Sequence, residues 1–407
     1  QICFFFFFIT IIEYTFLSHL FYKDKIEYEK LYQQRASSES THFLPIKIGN
    51  NNAFYCLCPE IHNISLRIMQ LDKVVTAITR TLPSEALVQF AKKCLIDEIK
   101  LTNDIEGVYS TRKELALILN EMNHKGKKKR FYGLLNKYSM LASNSEFALR
   151  TSSDIREIYD DLVLKEVAED NLENIPDGEI FRKDMAEVTT PTQKVIHKGA
   201  YPETKIIQLM EQALNILNQK DIPILIRISI FHYLFGYIHP FYDGNGRTSR
   251  FISSYLLSKE FDYLIGFRLS YTIKAHIKDY YDAFKECNSE NNLGDLTPFI
   301  IMFLNIILES FENLYDALEK RQNQLLKYSK IIADKSSLSK ELGDFAFILV
   351  QSALFADEGI TKKQLGNALN ISPSTVDKRL GKLRQMGLLL EESGKPSKYS
   401  IDLNKLS

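Results

Sequence analysis

His239-Pro240-Phe241-Tyr242-Asp243-Gly244-Asn245-Gly246-Arg247-Thr248-Ser249-Arg250 is the stretch from which the rest of the chain can be read. The residues before it, 222–238 (IPILIRISIFHYLFGYI), are apolar nearly all round, the pattern of a helix enclosed by other helices, with Asp221 as its candidate cap. After it, Phe251, Ile252, Tyr255 and Leu256 begin a new amphipathic repeat. The polar stretch is therefore a loop that feeds a helix N-terminus. Arg247 and Arg250 then fall in the first turn of that helix, where the dipole already places about half a positive charge, so something negative should relieve them. Gly244 and Gly246 let the backbone curl until the amides of Gly244, Asn245 and Gly246 point into one concavity, an anion-binding nest at a helix start. A phosphate chain fits. Asp243 would repel it unless a cation such as Mg²⁺ bridges the two, and His239 at the rim is a candidate general base.

Each piece has an ordinary explanation by itself. Histidines cap helix ends, Gly-x-Gly occurs in turns, and paired arginines make surface ion pairs. Base, carboxylate, glycine nest and two arginines within twelve residues are harder to attribute to packing.

The pattern His-Pro-Phe-x-Asp-Gly-Asn-Gly-Arg-x-x-Arg at 239–250 resembles the signature of the Fic family without a departure. The resemblance implies transfer of AMP from ATP to a Ser, Thr or Tyr hydroxyl of a protein. By it, His239 deprotonates the target hydroxyl, Asp243 holds Mg²⁺, and Gly244, Asn245 and Gly246 cradle the phosphates. Arg247 takes the β-phosphate and Arg250 the γ-phosphate, while Pro240 and Phe241 are structural. A kinase-like branch of the family differs where Gly244 stands and has Lys where Gly246 stands, so this loop sides with nucleotide transfer.

Upstream, Thr102-Asn103-Asp104-Ile105-Glu106-Gly107 reads as a helix end with Gly107 as C-cap and a new start near Ser110. It also resembles the family's inhibitory motif. That implies a brake in which Glu106 pairs with Arg250 and fills the γ-phosphate's place, since a carboxylate and a phosphate compete for the same guanidinium fork. In relatives the same glutamate can orient the water that removes AMP, so a reverse activity is also implied. Between Met185 and His197, Val188, Val195 and Ile196 lie in a candidate hairpin about Pro191-Thr192, where relatives carry the flap that docks the target as an added strand. Leu269-Ser270 and Tyr280-Tyr281 are family-like too, with Tyr281 a candidate to face the adenine and core packing its alternative.

The expected fold is mainly α: a Fic-type helical core with a small β-hairpin flap, then a winged helix. At 407 residues two or three domains are expected. They are taken as 22–130 (helical, with the inhibitory motif), 131–326 (catalytic core) and 340–407. Helical spacing is clear at Ile61, Ile64, Ile68 and Leu71. Residues 1–21 open with five consecutive phenylalanines. The run is too short for a spanning helix, and 1–21 is left out of the fold as a fragment or an upstream-called start, with no membrane favoured. Lys plus Arg and Asp plus Glu are 51 each, which argues against a general nucleic-acid coater, and the basic run 124–130 reads as a solvated loop. Cys3, Cys56, Cys58, Cys94 and Cys287 suit neither a disulfide framework nor a zinc site and point to a reducing cytoplasm.

After a Lys- and Ser-rich linker at 334–340, Gly359-Ile360-Thr361 opens a short helix, Asn370-Ile371-Ser372 turns, and Pro373 starts a second helix running to about Met386. With Leu388–Leu390 and Tyr399–Ile401 as a wing, this resembles a winged helix-turn-helix. Lys378, Arg379, Lys382, Arg384, Lys395 and Lys398 could meet phosphates, against Asp357, Glu358, Glu391 and Glu392, and protein docking or dimerisation is the alternative use. The leading expectation is an autoinhibited, cytoplasmic protein adenylyltransferase with Mg²⁺, ATP and a hydroxyl-bearing target protein, and with a homo-oligomer as an open alternative. Its rivals are a DNA-binding regulator whose core senses nucleotide, and a transferase using another donor such as UTP.

Overall fold

A computed structural model describes residues 14–122, 129–143, 145–189, 195–394 and 396–406. The basic stretch 123–128 and the turn residues 190–194 lie outside them. Helices dominate, as the 3.6-residue spacing predicts: Ile61, Ile68 and Leu71 are buried on one face of the helix Pro59–Thr81. The apolar run becomes a central helix, Ile224–Ile238, buried on nearly every side. It packs against the helices Glu203–Asn218, Asn245–Glu260 and Thr297–Asp334. Asp221 is not its cap, because Pro223 occupies the N-cap position and the fixed φ of proline starts the helix there.

Two expectations need correction. Residues 14–21 are part of the fold: Leu17, in the helix Leu17–Lys23, is fully buried. The Tyr14 hydroxyl donates to Asp295 Oδ2 at 2.6 Å, the carboxylate oxygen that Arg35 reaches at 3.1 Å. Residues 41–56, read as helical, form an antiparallel hairpin of β1 (Thr41–Ile48) and β2 (Asn51–Cys56). Leu44, Ile46 and Ile48 alternate inward, the period-2 signal of a strand. Pro45 obscures that signal, since proline in such a run argues against a strand unless it sits at an edge or an irregularity, and the register does shift between Phe43 and Lys47.

The expected flap hairpin is present as β3 (Glu187–Thr189) paired with β4 (Val195–Lys198), a two-stranded sheet. The long helix Thr297–Asp334 is apolar and long enough to cross a membrane, yet most of its apolar stretch is buried in protein. Beyond it, the helices Lys340–Phe355, Lys362–Leu369 and Pro373–Gln385 join β5 (Ile360–Thr361), β6 (Leu389–Glu392) and β7 (Lys398–Ile401) in the sheet order β5-β7-β6. Thr361 and Gln364 form a capping box on the first short helix, and Pro373 opens the second.

Within this frame the helix Ser84–Ile105 holds a pivotal place. Glu98, Ile99, Thr102 and Asn103 are buried in it, and it packs on both Asn245–Glu260 and Leu269–Ala275. It also packs against Lys340–Phe355, the helix that leads into the winged helix, with Phe90 edge-on to Phe355 and Lys93 paired with Asp357.

Candidate active site

The central helix ends on His239, whose backbone is left-handed (φ +50°), a conformation uncommon for a residue with a side chain. The loop after it is closed by Asn245, whose Oδ1 accepts from Phe241 N at 3.0 Å while Nδ2 donates to Phe241 O at 2.8 Å. That side chain is engaged within the loop, so only the main chain of Asn245 remains to line a nest. Gly244, at φ +81°, makes the turn into the helix Asn245–Glu260. Phe241 is fully buried, stacked on Tyr159 with ring centroids 3.7 Å apart, as its structural reading predicts.

Both arginines point inward. Arg247 Nη1 donates to Glu166 Oε2 at 2.9 Å, and Arg247 is fully buried. Its Nη2 stands 3.7 Å from Asp243 Oδ2, while among the described residues Nε and Nη2 find no hydrogen-bond acceptor. Buried donors without acceptors are costly, and an anion in the nest would supply what they lack. Burial pushes the Glu166 carboxyl up to about 7, against the pull of Arg247.

Arg250 is buried and committed. Its Nε donates to Thr102 Oγ1 at 2.8 Å, and Nη2 donates to Thr102 O at 3.2 Å and Glu106 Oε1 at 2.6 Å. Glu106 caps the C-terminus of Ser84–Ile105, Gly107 follows at φ +73°, and Lys274 donates to Asp104 O at 3.0 Å. The next helix, Arg112–Glu121, is capped by Thr111, one residue beyond the expected Ser110, because the Thr111 side chain accepts from Glu114 N. Gly246 makes the approach of Glu106 possible, since a Cβ there would fall 2.1 Å from Glu106 Oε1. The expected Glu106–Arg250 pair is thus present, spanning 144 residues of chain.

The His239 imidazole is pushed down to about 4, chiefly by burial, with His197 and Arg182 adding and Glu106 opposing. It is neutral near pH 7 and free to accept a proton. Asp243 is partly exposed and accepts from Gly244 N at 2.5 Å. Among the described residues no group of three or more His, Cys, Asp or Glu side chains could enclose a metal. The partly exposed Asp243 carboxylate is a donor of the kind Mg²⁺ takes, one or two carboxylates with phosphate and water completing the shell.

Tyr281 is exposed, within electrostatic reach of Glu106 and Arg250. Its neighbour Tyr280 is buried and bonded to His232 Nε2 at 2.7 Å. Ser270 N donates to Glu98, so Leu269-Ser270 supports the inhibitory-motif helix. In the flap, Val188 pairs with His197 and Thr189 with Val195. The side chains of Val188, Val195 and Ile196 lie outside the described residues. Sequence reasoning missed Glu166 and Arg182, both buried charges at the loop, for which only an isolated charge in a mixed polar stretch offered any signal.

Comparison with known proteins agrees with this geometry. Residues 150–257 match the family model described as Fic/DOC family, and residues 352–389 match a winged helix-turn-helix DNA-binding model. The chain carries a Fic domain followed by a C-terminal winged helix-turn-helix. It is 39% identical over 69 residues to "Protein adenylyltransferase Fic" of Aedes aegypti, covering 17% of this chain and 12% of that protein. To the protein of the same name in Nematostella vectensis it is 35% identical over 98 residues, covering 22% and 21%. The match thus spans about a fifth or less of those relatives' length. A solved Fic family protein from Desulfovibrio desulfuricans G20 superposes over 86% of this chain and 98% of its own, with a TM-score of 0.53 and 18% identity, a likeness of fold.

Proposed function

We propose that this protein is an autoinhibited adenylyltransferase that moves AMP from ATP to a Ser, Thr or Tyr hydroxyl of a target protein or of itself. The observation that carries the reading is the arrangement of the two loop arginines: Arg247 keeps buried donors unfilled while Arg250 is occupied by Glu106. In the reaction, His239 takes the proton of the target hydroxyl. That oxygen bonds to the α-phosphorus, and the bond to the β-phosphate bridge breaks to release pyrophosphate. General-base help of this kind supplies roughly 10²- to 10⁴-fold. The amides of Asn245 and Gly246 and the Arg247 guanidinium then face the growing charge with preorganised donors, the Gly244 amide being engaged by Asp243. Asp243 would hold Mg²⁺, which neutralises phosphate charge when bound. With Glu106 on Arg250, the γ-phosphate lacks its guanidinium. The flap offers unpaired strand edges for an extended target segment. The four described cysteines are free thiols, which suits a reducing cytoplasm.

The test mixes the protein with Mg²⁺ and α-labelled ATP, comparing wild type, Glu106→Gly, and Glu106→Gly with His239→Ala. Label on protein is expected with Glu106→Gly, faint in wild type and absent from the double variant. No label in any form, repeated with UTP, GTP and CTP and with lysate as a target source, would sink the reading. Loss of label from modified protein on incubation with wild type but not Glu106→Gly would reveal the reverse reaction.

A second reading, duplex DNA binding by the winged helix, is favoured by Lys378 and Lys382, both exposed on the helix Pro373–Gln385. Asp357 faces Lys93 and Arg112 on the helical domain, whereas Glu358 pairs with Lys398 and so offsets one of the candidate phosphate contacts, as expected. Arg384 is tied to Glu391 at 2.6 Å and Arg379 lies over Phe345, while Lys395 is outside the described residues. Salt-sensitive binding to a duplex tests it.

A further inference from the structure

The end of the central helix is capped by the flap. A helix leaves its last carbonyls without intrahelical partners, and here three successive ones are taken by the hairpin and the segment leading into it. Tyr237 O lies 2.7 Å from His197 Nε2 of β4. Ile238 O accepts from Ala200 N at 2.9 Å, and His239 O accepts from Arg182 Nε at 3.0 Å. Arg182 also donates Nη1 to Asp184 O at 2.5 Å and Nη2 to Ala200 O at 2.9 Å. It is fully buried, and among the described residues no carboxylate pairs with it. Its acceptors are thus the entry to the hairpin, the exit from the hairpin, and the backbone of His239. Gly199 allows this closeness: a Cβ there would lie 2.4 Å from Arg182 Nη2 and 3.0 Å from His239 Cβ.

We propose that Arg182 is a positioning residue that fixes the flap in register with His239, so that a segment docked on the flap meets the imidazole at a set distance. The proposal rests on the transferase reading for its consequence in catalysis, and on the hydrogen bonds alone for its structural content. A cation at a helix C-terminus is favoured by the dipole, and a fork with five donors can satisfy three carbonyls at once where an ammonium cannot match the geometry. The groups facing the imidazole from the surrounding elements are His197 on β4, Arg182 ahead of the flap, and Glu106 from the inhibitory-motif helix. Burial is the main cause disfavouring the imidazolium, and His197 and then Arg182 add to it, so Arg182 has a second, smaller effect that a purely structural residue lacks: it adds to the bias toward the neutral, proton-accepting form of His239.

The test uses full-length protein carrying Glu106→Gly, with Arg182→Lys and Arg182→Met added, and has two independent readouts. In automodification with α-labelled ATP, kcat is expected to fall roughly 10²-fold in Arg182→Met, the scale of a displacement of about 1 Å at a reacting centre, with KM for ATP within about twofold. In an NMR titration without ATP, the His239 imidazole is expected to move up in Arg182→Met, while burial keeps it below the ordinary value of about 6.5, and to move little in Arg182→Lys. Parental kcat together with an unmoved His239 titration in Arg182→Met overturns the proposal. If Arg182→Met does not fold, Arg182→Lys decides: kcat lowered at least tenfold with an unmoved titration supports the positioning role, and parental kcat overturns it. If the Glu106→Gly parent transfers no label while the His239 titration still moves, the transferase reading fails and the structural role of Arg182 stands.

Discussion

Replacing Glu106 with glutamine separates the charge of the brake from its shape. The amide side chain of Glu106→Gln can still present an oxygen to Arg250, so the contact at 2.6 Å keeps its charged donor and loses the charge on its acceptor. Bonds to charged groups contribute about 1.5–3 kcal/mol and neutral ones about 0.5–1.5, and a bond that keeps one charge loses only part of that difference, so the closed arrangement should lose about 0.5–1 kcal/mol relative to the open one. That is a rise of about 2- to 5-fold in the population able to seat the γ-phosphate. Stability should move far less. Glu106 caps a helix C-terminus, where a negative charge is disfavoured by about 0.3–1 kcal/mol, and the neutral amide removes that penalty. Arg250 keeps both bonds to Thr102. The assay is the initial rate of label incorporation from α-labelled ATP, with Glu106→Gly as the upper bound and thermal unfolding of each form alongside. A Glu106→Gln protein as silent as wild type, beside an active Glu106→Gly, would refute the charge competition and leave steric blocking by the side chain as the brake.

Further outcomes follow from other contacts. In the Glu106→Gly background, kcat/KM should stay level from pH 8 to about 5 and fall only at about pH 4 or below, because the base must be neutral, its value is lowered to about 4, and losing Glu106 removes a group that opposes the lowering; an acid limb near 6.5 would contradict this. Phe241→Ala should cost about 3–5 kcal/mol by removing the ring stacked on Tyr159, visible as a lowered denaturant midpoint. Asp357→Ala removes the pairing with Lys93 and Arg112, partly exposed contacts that contribute at most about 1 kcal/mol. Because those contacts brace the helix that ends in Glu106, wild-type automodification should rise a few-fold at nearly unchanged Tm. Lys378→Glu with Lys382→Glu should abolish duplex binding, measured by fluorescence anisotropy at low salt, without changing automodification.

Local chemistry was legible from the residues alone. The loop 239–250 could be placed between a buried helix and a new helix start because apolar periodicity and glycine position are short-range signals. The helix-turn-helix could be placed for the same reason: Thr361, Asn370 and Pro373 act on their immediate neighbours. The β1–β2 hairpin escaped because Pro45 interrupts an alternation that only burial makes visible. Asp357 and Glu358 counted in sequence as charges against DNA; Glu358 does pair with the wing lysine Lys398, whereas Asp357 belongs to the contact with the helical domain, a choice made by how the helices pack.

The sequence by itself determined the composition of the site, since the anion nest, the base and the two arginines lie within a dozen residues and their conformation follows from local backbone preference. Only the tertiary structure decided what each arginine faces. Glu106 reaches Arg250 across 144 residues, Glu166 reaches Arg247 across 81, and Arg182 finds the carbonyls of Asp184, Ala200 and His239, of which only the last lies in the motif. Carbonyl acceptors are carried by every residue, so no pattern of side chains marks which of them a buried guanidinium will meet until the helices have packed.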